Sequence, residues 1–212
     1  MATPIQTVVI PTTRQATTTV TSPNRIAADN ALTSHDLISI AGLWDGFTHP
    51  LLGVDHLLAM ISVGVASALL GPRAIWALPI SFVASMALAG IAGLNGLVLP
   101  RSELWIAVSL VALGLTISTG GAMGLRGRRI PTSLAGLFVM IFGAAHGNAH
   151  GLEIPSTASP AAFTVGFLVG TTGLHLAGVA AGRSALRNRV SAFVLRMAGV
   201  FTAAMGVGLL AR

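Results

Sequence analysis

The sequence predicts an all-α polytopic membrane protein, a bundle of about six transmembrane helices preceded by a short amphipathic helix. Composition is the first reason. Only 8% of the 212 residues are charged and 53% are hydrophobic, where soluble domains carry about a quarter charged. The second is length: beyond Pro50 the chain resolves into six apolar stretches of about twenty residues, enough to cross ~30 Å of hydrocarbon at 1.5 Å per residue. The third is pattern, since these stretches are continuous rather than alternating, which disfavours a β-barrel.

The first thirty residues hold eight Thr and three Pro, with one short apolar run from Val8 to Ile10. Such a stretch buries too little apolar surface to fold, so residues 1–33 are expected to be a disordered Thr-rich tail, lacking a signal-peptide core. Residues 34–212 are expected to be the transmembrane domain. Ser34 fits an N-cap. Leu37, Ile40, Trp44 and Phe47 then fall at helical spacing with His35, Asp36 and Asp45 between them, the pattern of a helix lying at the membrane surface. Spans follow at 51–70, 74–94, 104–123, 131–150, 161–182 and 191–211. Their connections are short, as at Gly71-Pro72-Arg73, from Asn95 to Glu103 and from Arg183 to Val190, so the spans form one bundle. Small residues recur every fourth position, at Ala77, Ser81, Ser85, Ala89 and Gly93, at Gly114, Ser118 and Ala122, at Gly143, Gly147 and Gly151, and at Gly166 and Gly170. Close helix contact is expected there.

All twelve cationic residues are Arg, against four Asp and two Glu, a formal charge of +6. Charge this sparse cannot form the dense basic face that binds nucleic acid. Cys is absent, which excludes a disulfide framework, a Cys-ligated zinc or iron–sulfur site and a thiol nucleophile. Any metal would be held by His, carboxylate, amide or Met. In the short loops, Arg73, Arg126, Arg128, Arg129, Arg183, Arg187 and Arg189 share one side, while Arg101 and Arg212 take the other. The positive-inside rule makes the seven-Arg side cytoplasmic and sends both termini outward.

Four of the six His lie in two clusters, His49-Pro50-Leu51-Leu52-Gly53-Val54-Asp55-His56 at the start of the first span and His146-Gly147-Asn148-Ala149-His150-Gly151-Leu152-Glu153 at the end of the fourth. With six spans, those two ends share a membrane face. His49 and His56 are two helical turns apart and His146 and His150 one, so each pair is expected on one helix face. Taking a helix start near Pro50, His56 lies about 9 Å along its helix, and His146 about 6 Å before the end of the other. Asp55 is the one carboxylate well inside a span, where an ionisable group is expensive enough to imply a function. Neutral imidazole and carboxylate suit Ni(II), Co(II), Zn(II) or Cu(II), and fit Cu(I) or Mg(II) poorly. Met60, one turn beyond His56, is more often core than ligand.

At these two segments, HPLLGVDHLLAMISVG from His49 to Gly64 and AHGNAHGLEIP from Ala145 to Pro155, the chain resembles the hydrogenase/urease accessory permease family (HupE/UreJ), small polytopic bacterial proteins that move nickel or cobalt. The resemblance runs from about Phe47 to the C-terminus. It implies ligand roles for His49, Asp55 and His56 from the first motif and for His146, His150 and Glu153 from the second, and His175 resembles a further family His. The Thr-rich tail departs from the family, whose members often carry a cleavable signal peptide. The five-residue gap between His49 and Asp55 differs from the four-residue gap of the larger nickel/cobalt permease family.

Taken with these residues, the resemblance implies a secondary transporter importing Ni(II), with Co(II) as the alternative cargo, across the bacterial inner membrane through a His/Asp site between the first and fourth spans. No cofactor is expected to be permanently bound. The expected partners are the divalent ion and the lipid bilayer, with a homo-oligomer left open. Two other readings share the residues, a metal-binding accessory or sensor protein without transport and a His-ligated membrane metalloenzyme. The enzyme is disfavoured because His-Glu-x-x-His needs Glu after its first His as general base, and Gly147 stands there. His175, ~21 Å along its span and about 12 Å deeper than His56, is expected outside that coordination shell, as an inner station or a packing residue satisfied by Thr171.

Overall fold

The computed structural model describes residues 40–121, 130–154 and 159–211, with Glu153 described by its backbone alone. The tail at 1–33, Ser34, His35, Asp36 and Leu37, and Arg126, Arg128, Arg129 and Arg212 lie outside the described residues. Within them there are seven helices and no strand: α1 (Ile40–Leu52), α2 (Val54–Leu70), α3 (Ala74–Leu94), α4 (Ser102–Ser118), α5 (Thr132–Glu153), α6 (Pro160–Arg187) and α7 (Arg189–Leu210).

α2 is the central element, buried at nearly every position from Ala59 to Leu70, as a helix apolar all round must be. It packs chiefly on α6, while α3 packs on α5 and α4 on α7. The core joins Met60, Val63 and Ala66 of α2 to Leu78, Phe82 and Met86 of α3, Val139 and Phe142 of α5, and Phe163 and Phe167 of α6. The glycines of the expected small-residue rows bring helices together, while Ala122 lies outside the described residues. A Cβ at Gly143, Gly147 or Gly151 would collide with the α3 backbone at Phe82, Met86 and Gly90, and one at Gly114 with α7 at Gly199 and Ala203. Such contacts hold helix pairs where lipid supplies no hydrophobic drive between them.

The largest departure from expectation is at the first span. The helix does not stop before Pro50 but continues to Leu52, breaks at Gly53, and resumes at Val54 after an 83° bend. Tertiary packing explains the continuation. The buried face of α1 is Gly42, Gly46 and Pro50, and Gly46, Gly166 and Gly170 let α1 and α6 meet backbone to backbone. Ile40 and Trp44, the expected apolar anchors, point away and are exposed. The short helix expected ahead of the spans is thus present from Ile40 to Leu52, and its glycine face docks on α6. His49 and His56 consequently sit on two helices rather than on one face of a single helix.

Other boundaries moved less. α4 ends at Ser118, five residues early, because Gly120 and Gly121 take positive φ, with Gly121 N–H donating to Thr116 C=O, a glycine C-terminal stop. α5 runs on to Glu153 and α6 to Arg187. The expected loop from Arg183 to Val190 shrinks to Asn188, whose side-chain oxygen accepts from Val190 N–H at 2.8 Å and caps α7.

α3, α5, α6 and α7 are each long and apolar enough to cross a membrane, and the bent pair α1–α2 qualifies together; α4 is apolar but has only 17 residues. Large apolar side chains such as Trp76, Leu88, Val169, Phe193 and Phe201 are more than half exposed, an amount that lipid rather than water accommodates.

Candidate metal-binding site

The break at Gly53 builds one half of the site. Gly53 is extended, and a Cβ there would lie 2.8 Å from His56 Nδ1 and 3.1 Å from Asp55 Oδ1. Glycine therefore leaves room for the pair that opens α2. Asp55 sits in the first turn of α2, where the helix N-terminus stabilises a carboxylate. Its Oδ1 accepts from His56 Nδ1 at 3.0 Å. The other half comes from α5, where His146 Nδ1 donates to Phe142 C=O at 2.8 Å. A carboxylate and a carbonyl can only accept, so in both rings the proton is on Nδ1 and the lone pair on Nε2. Neither His56 Nε2 nor His146 Nε2 has a hydrogen-bond partner. An imidazole oriented through one nitrogen with the other left as donor is the usual state of a metal ligand.

The structure brings His49, His56, His146 and His150 together. His49 Nε2 and His150 Nδ1 are hydrogen-bonded at 3.0 Å. Ring centroids are 4.4 Å apart for His56 and His150 and 5.4 Å for His56 and His146. His56 lies in the first turn of α2 and His146 two turns before the end of α5, so the depths of 9 and 6 Å do not describe the meeting. The bend between α1 and α2 does, by turning His49 toward α5. Side-chain exposure falls from 30% at Asp55 through 18% at His56 to 0% at His146, so the cluster is most open at its Asp55 end. A crevice of about 30 Å³ bordered by Met86, Gly147, His150 and Phe167 reaches the cluster from the α3 side.

Among the described residues, no three His, Asp or Glu side chains are gathered tightly enough to hold an ion as they stand. His49 and His150 bond to each other, and Asp55 is turned to His56. The side chain of Glu153 lies outside the described residues. His175 is buried in α6 and in ring contact with none of the other described histidines. Phe82 of α3 touches both, 5.4 Å from His146 and 5.1 Å from His175 by centroids.

Two residues escaped sequence reasoning. Nothing in the sequence marks Phe82. Asn148 carried a signal, an amide inside an apolar span, and it is fully buried. Its Oδ1 accepts from Leu99 N–H at 2.8 Å and its Nδ2 donates to Leu97 C=O at 2.7 Å, clamping the α3–α4 connection to α5 between the two histidines.

Fold and site together define a helical membrane protein with histidines clustered among its spans. The chain belongs to the HupE/UreJ family: residues 23–209 match the family described as "HupE / UreJ protein". It is 36% identical over 170 residues to Protein HupE of Rhizobium leguminosarum bv. viciae, covering 80% of this chain and 84% of that one. No solved structure matches it.

Proposed function

We propose that the protein is a secondary permease carrying Ni(II) or Co(II) inward across the bacterial inner membrane, with α2 to α7 as its six spans. The observation that carries this reading is the matched pair His56 and His146, each fixed through Nδ1 and each left with an unpartnered Nε2. Family membership supports it, since resemblance to HupE/UreJ implies nickel or cobalt as cargo. The ion is substrate, not resident cofactor. Arriving past Asp55, it takes the His56 and His146 nitrogens and replaces the hydrogen bond between His49 and His150. Borderline imidazole donors favour late first-row divalent ions over Mg(II). Glu153, next to this cluster in sequence, is the remaining ligand of the proposed set. The membrane potential supplies the drive, because two charges moving inward gain ~4.6 kcal/mol per 100 mV, roughly a thousandfold accumulation.

The test is nickel uptake into vesicles bearing the full chain. Parent protein should accumulate nickel, and His56→Ala and His146→Ala should abolish uptake while remaining inserted. Binding without flux would make the protein a metal-binding accessory instead, and normal uptake by either variant would move the site elsewhere.

A further inference from the structure

Thr48, Thr116, Thr164, Thr172 and Thr202 each spend their hydroxyl on the carbonyl four residues back, the way helices ordinarily absorb threonine. Thr171 does not. It is fully buried, and its Oγ1 has no partner. One turn further along α6, His175 is 1% exposed and neither ring nitrogen makes a hydrogen bond. The Met60 carbonyl lies beside the ring but off hydrogen-bond geometry, and it can serve only one of the two nitrogens. Three orphaned polar atoms thus stand on one helix face, four residues apart. Native interiors leave few such atoms, and each calls for a reason. Apolar residues would fill the same space without that penalty. Their position supplies a reason, because the Phe82 ring that touches His146 also touches His175.

We propose that His175 and Thr171 form a second, inner station for the transported divalent cation, across Phe82 from the outer histidine cluster. The proposal rests on that cluster being the ion's entry site. An imidazole nitrogen and a hydroxyl oxygen, with the Met60 carbonyl nearby and water completing the shell, are a poorer donor set than clustered imidazoles. A poorer set suits an ion that must bind well enough to advance and weakly enough to leave. The side chains remain orphaned because their partner is transient.

The full chain in lipid nanodiscs, titrated with Co(II) and followed by equilibrium dialysis and visible absorption, should bind two ions, the second roughly tenfold or more weaker. Thr171→Val and His175→Ala should each remove the weaker ion, keep the tighter one, and slow nickel entry into vesicles roughly tenfold. Thr171→Val keeps the shape of the side chain and deletes an unpartnered hydroxyl, so it should melt at or above the parent temperature; a hydroxyl retained for packing would lower it. A single bound Co(II), abolished by His146→Ala, together with parent-rate transport by Thr171→Val and His175→Ala, would overturn the inner station and leave the outer site standing. No Co(II) binding and no nickel flux by the parent would overturn both.

Discussion

The carboxylate of Asp55 and the carbonyl of Phe142 each accept the Nδ1 proton of a histidine, so on the proposed function Asp55 would act on the ion through His56 before any direct contact. Removing an outer-shell partner of this kind lowers metal affinity about 10–100-fold, the loss expected for Asp55→Ala. Asp55→Asn retains an oxygen that can accept from Nδ1 and should lose less. Calorimetric titration of the purified protein with Ni(II) ranks the two, and equal losses would mean that the carboxylate charge, not its orienting bond, is what matters. Asn148 is structural in a different way. Its side chain bonds the backbone of Leu97 and Leu99 and, more loosely at 3.5 Å, of Ala89, so Asn148→Ala should cost about 1–3 kcal/mol, read as a lower melting temperature, with nickel binding weakened less than by His146→Ala.

At the scale of elements, the face of α5 that carries Gly143, Gly147 and Gly151 fixes how closely the site approaches α3. A Cβ at Gly147 would run into the Met86 carbonyl and Cα, whereas one at Gly136 would meet nothing within 4 Å. Gly147→Ala should therefore destabilise by about 1–3 kcal/mol or more and displace the neighbouring His146. Gly136→Ala should be neutral or stabilising by up to about 1 kcal/mol. Thermal melts of the two variants check this, and equal melting temperatures would sink the close-packing account. The small-residue spacing of α5 was legible in sequence because it repeats every fourth position. So were both histidine motifs, since six His in an apolar chain stand out. The course of α1 was not legible: proline ordinarily disfavours a continuing helix, and only the docking of Gly42, Gly46 and Pro50 on α6 reverses that. The partnership of His49 with α5 rather than with His56's helix face follows from the same bend. Phe82 left no trace because a phenylalanine in a span looks the same whether it faces lipid, core or a histidine.

Across the whole molecule, charge is divided between the two ends of the bundle. Asp45, Asp55, Glu103 and Glu153 all belong to helix segments that end or begin on the side of the histidine cluster, whereas Arg73, Arg183, Arg187 and Arg189 lie at the opposite end. Among the described residues Arg101 is the exception, beside Glu103. On the proposed function this polarity would set the direction, because arginine-rich ends stay cytoplasmic and the carboxylate end would then face the side from which a cation is drawn. The chain contains no Cys, so single cysteines report topology without background. Asn95→Cys, in the exposed connection at the histidine end, should react with a membrane-impermeant maleimide in intact spheroplasts and be silent in inverted vesicles. Ser184→Cys, exposed near the arginine end of α6, should do the reverse. Neither change removes an arginine, so the determinant of orientation stays in place. If instead Ser184→Cys were labelled only from outside, the gradient of exposure from Asp55 to His146 would open on the cytoplasm, and the same residues would load an ion for export rather than import.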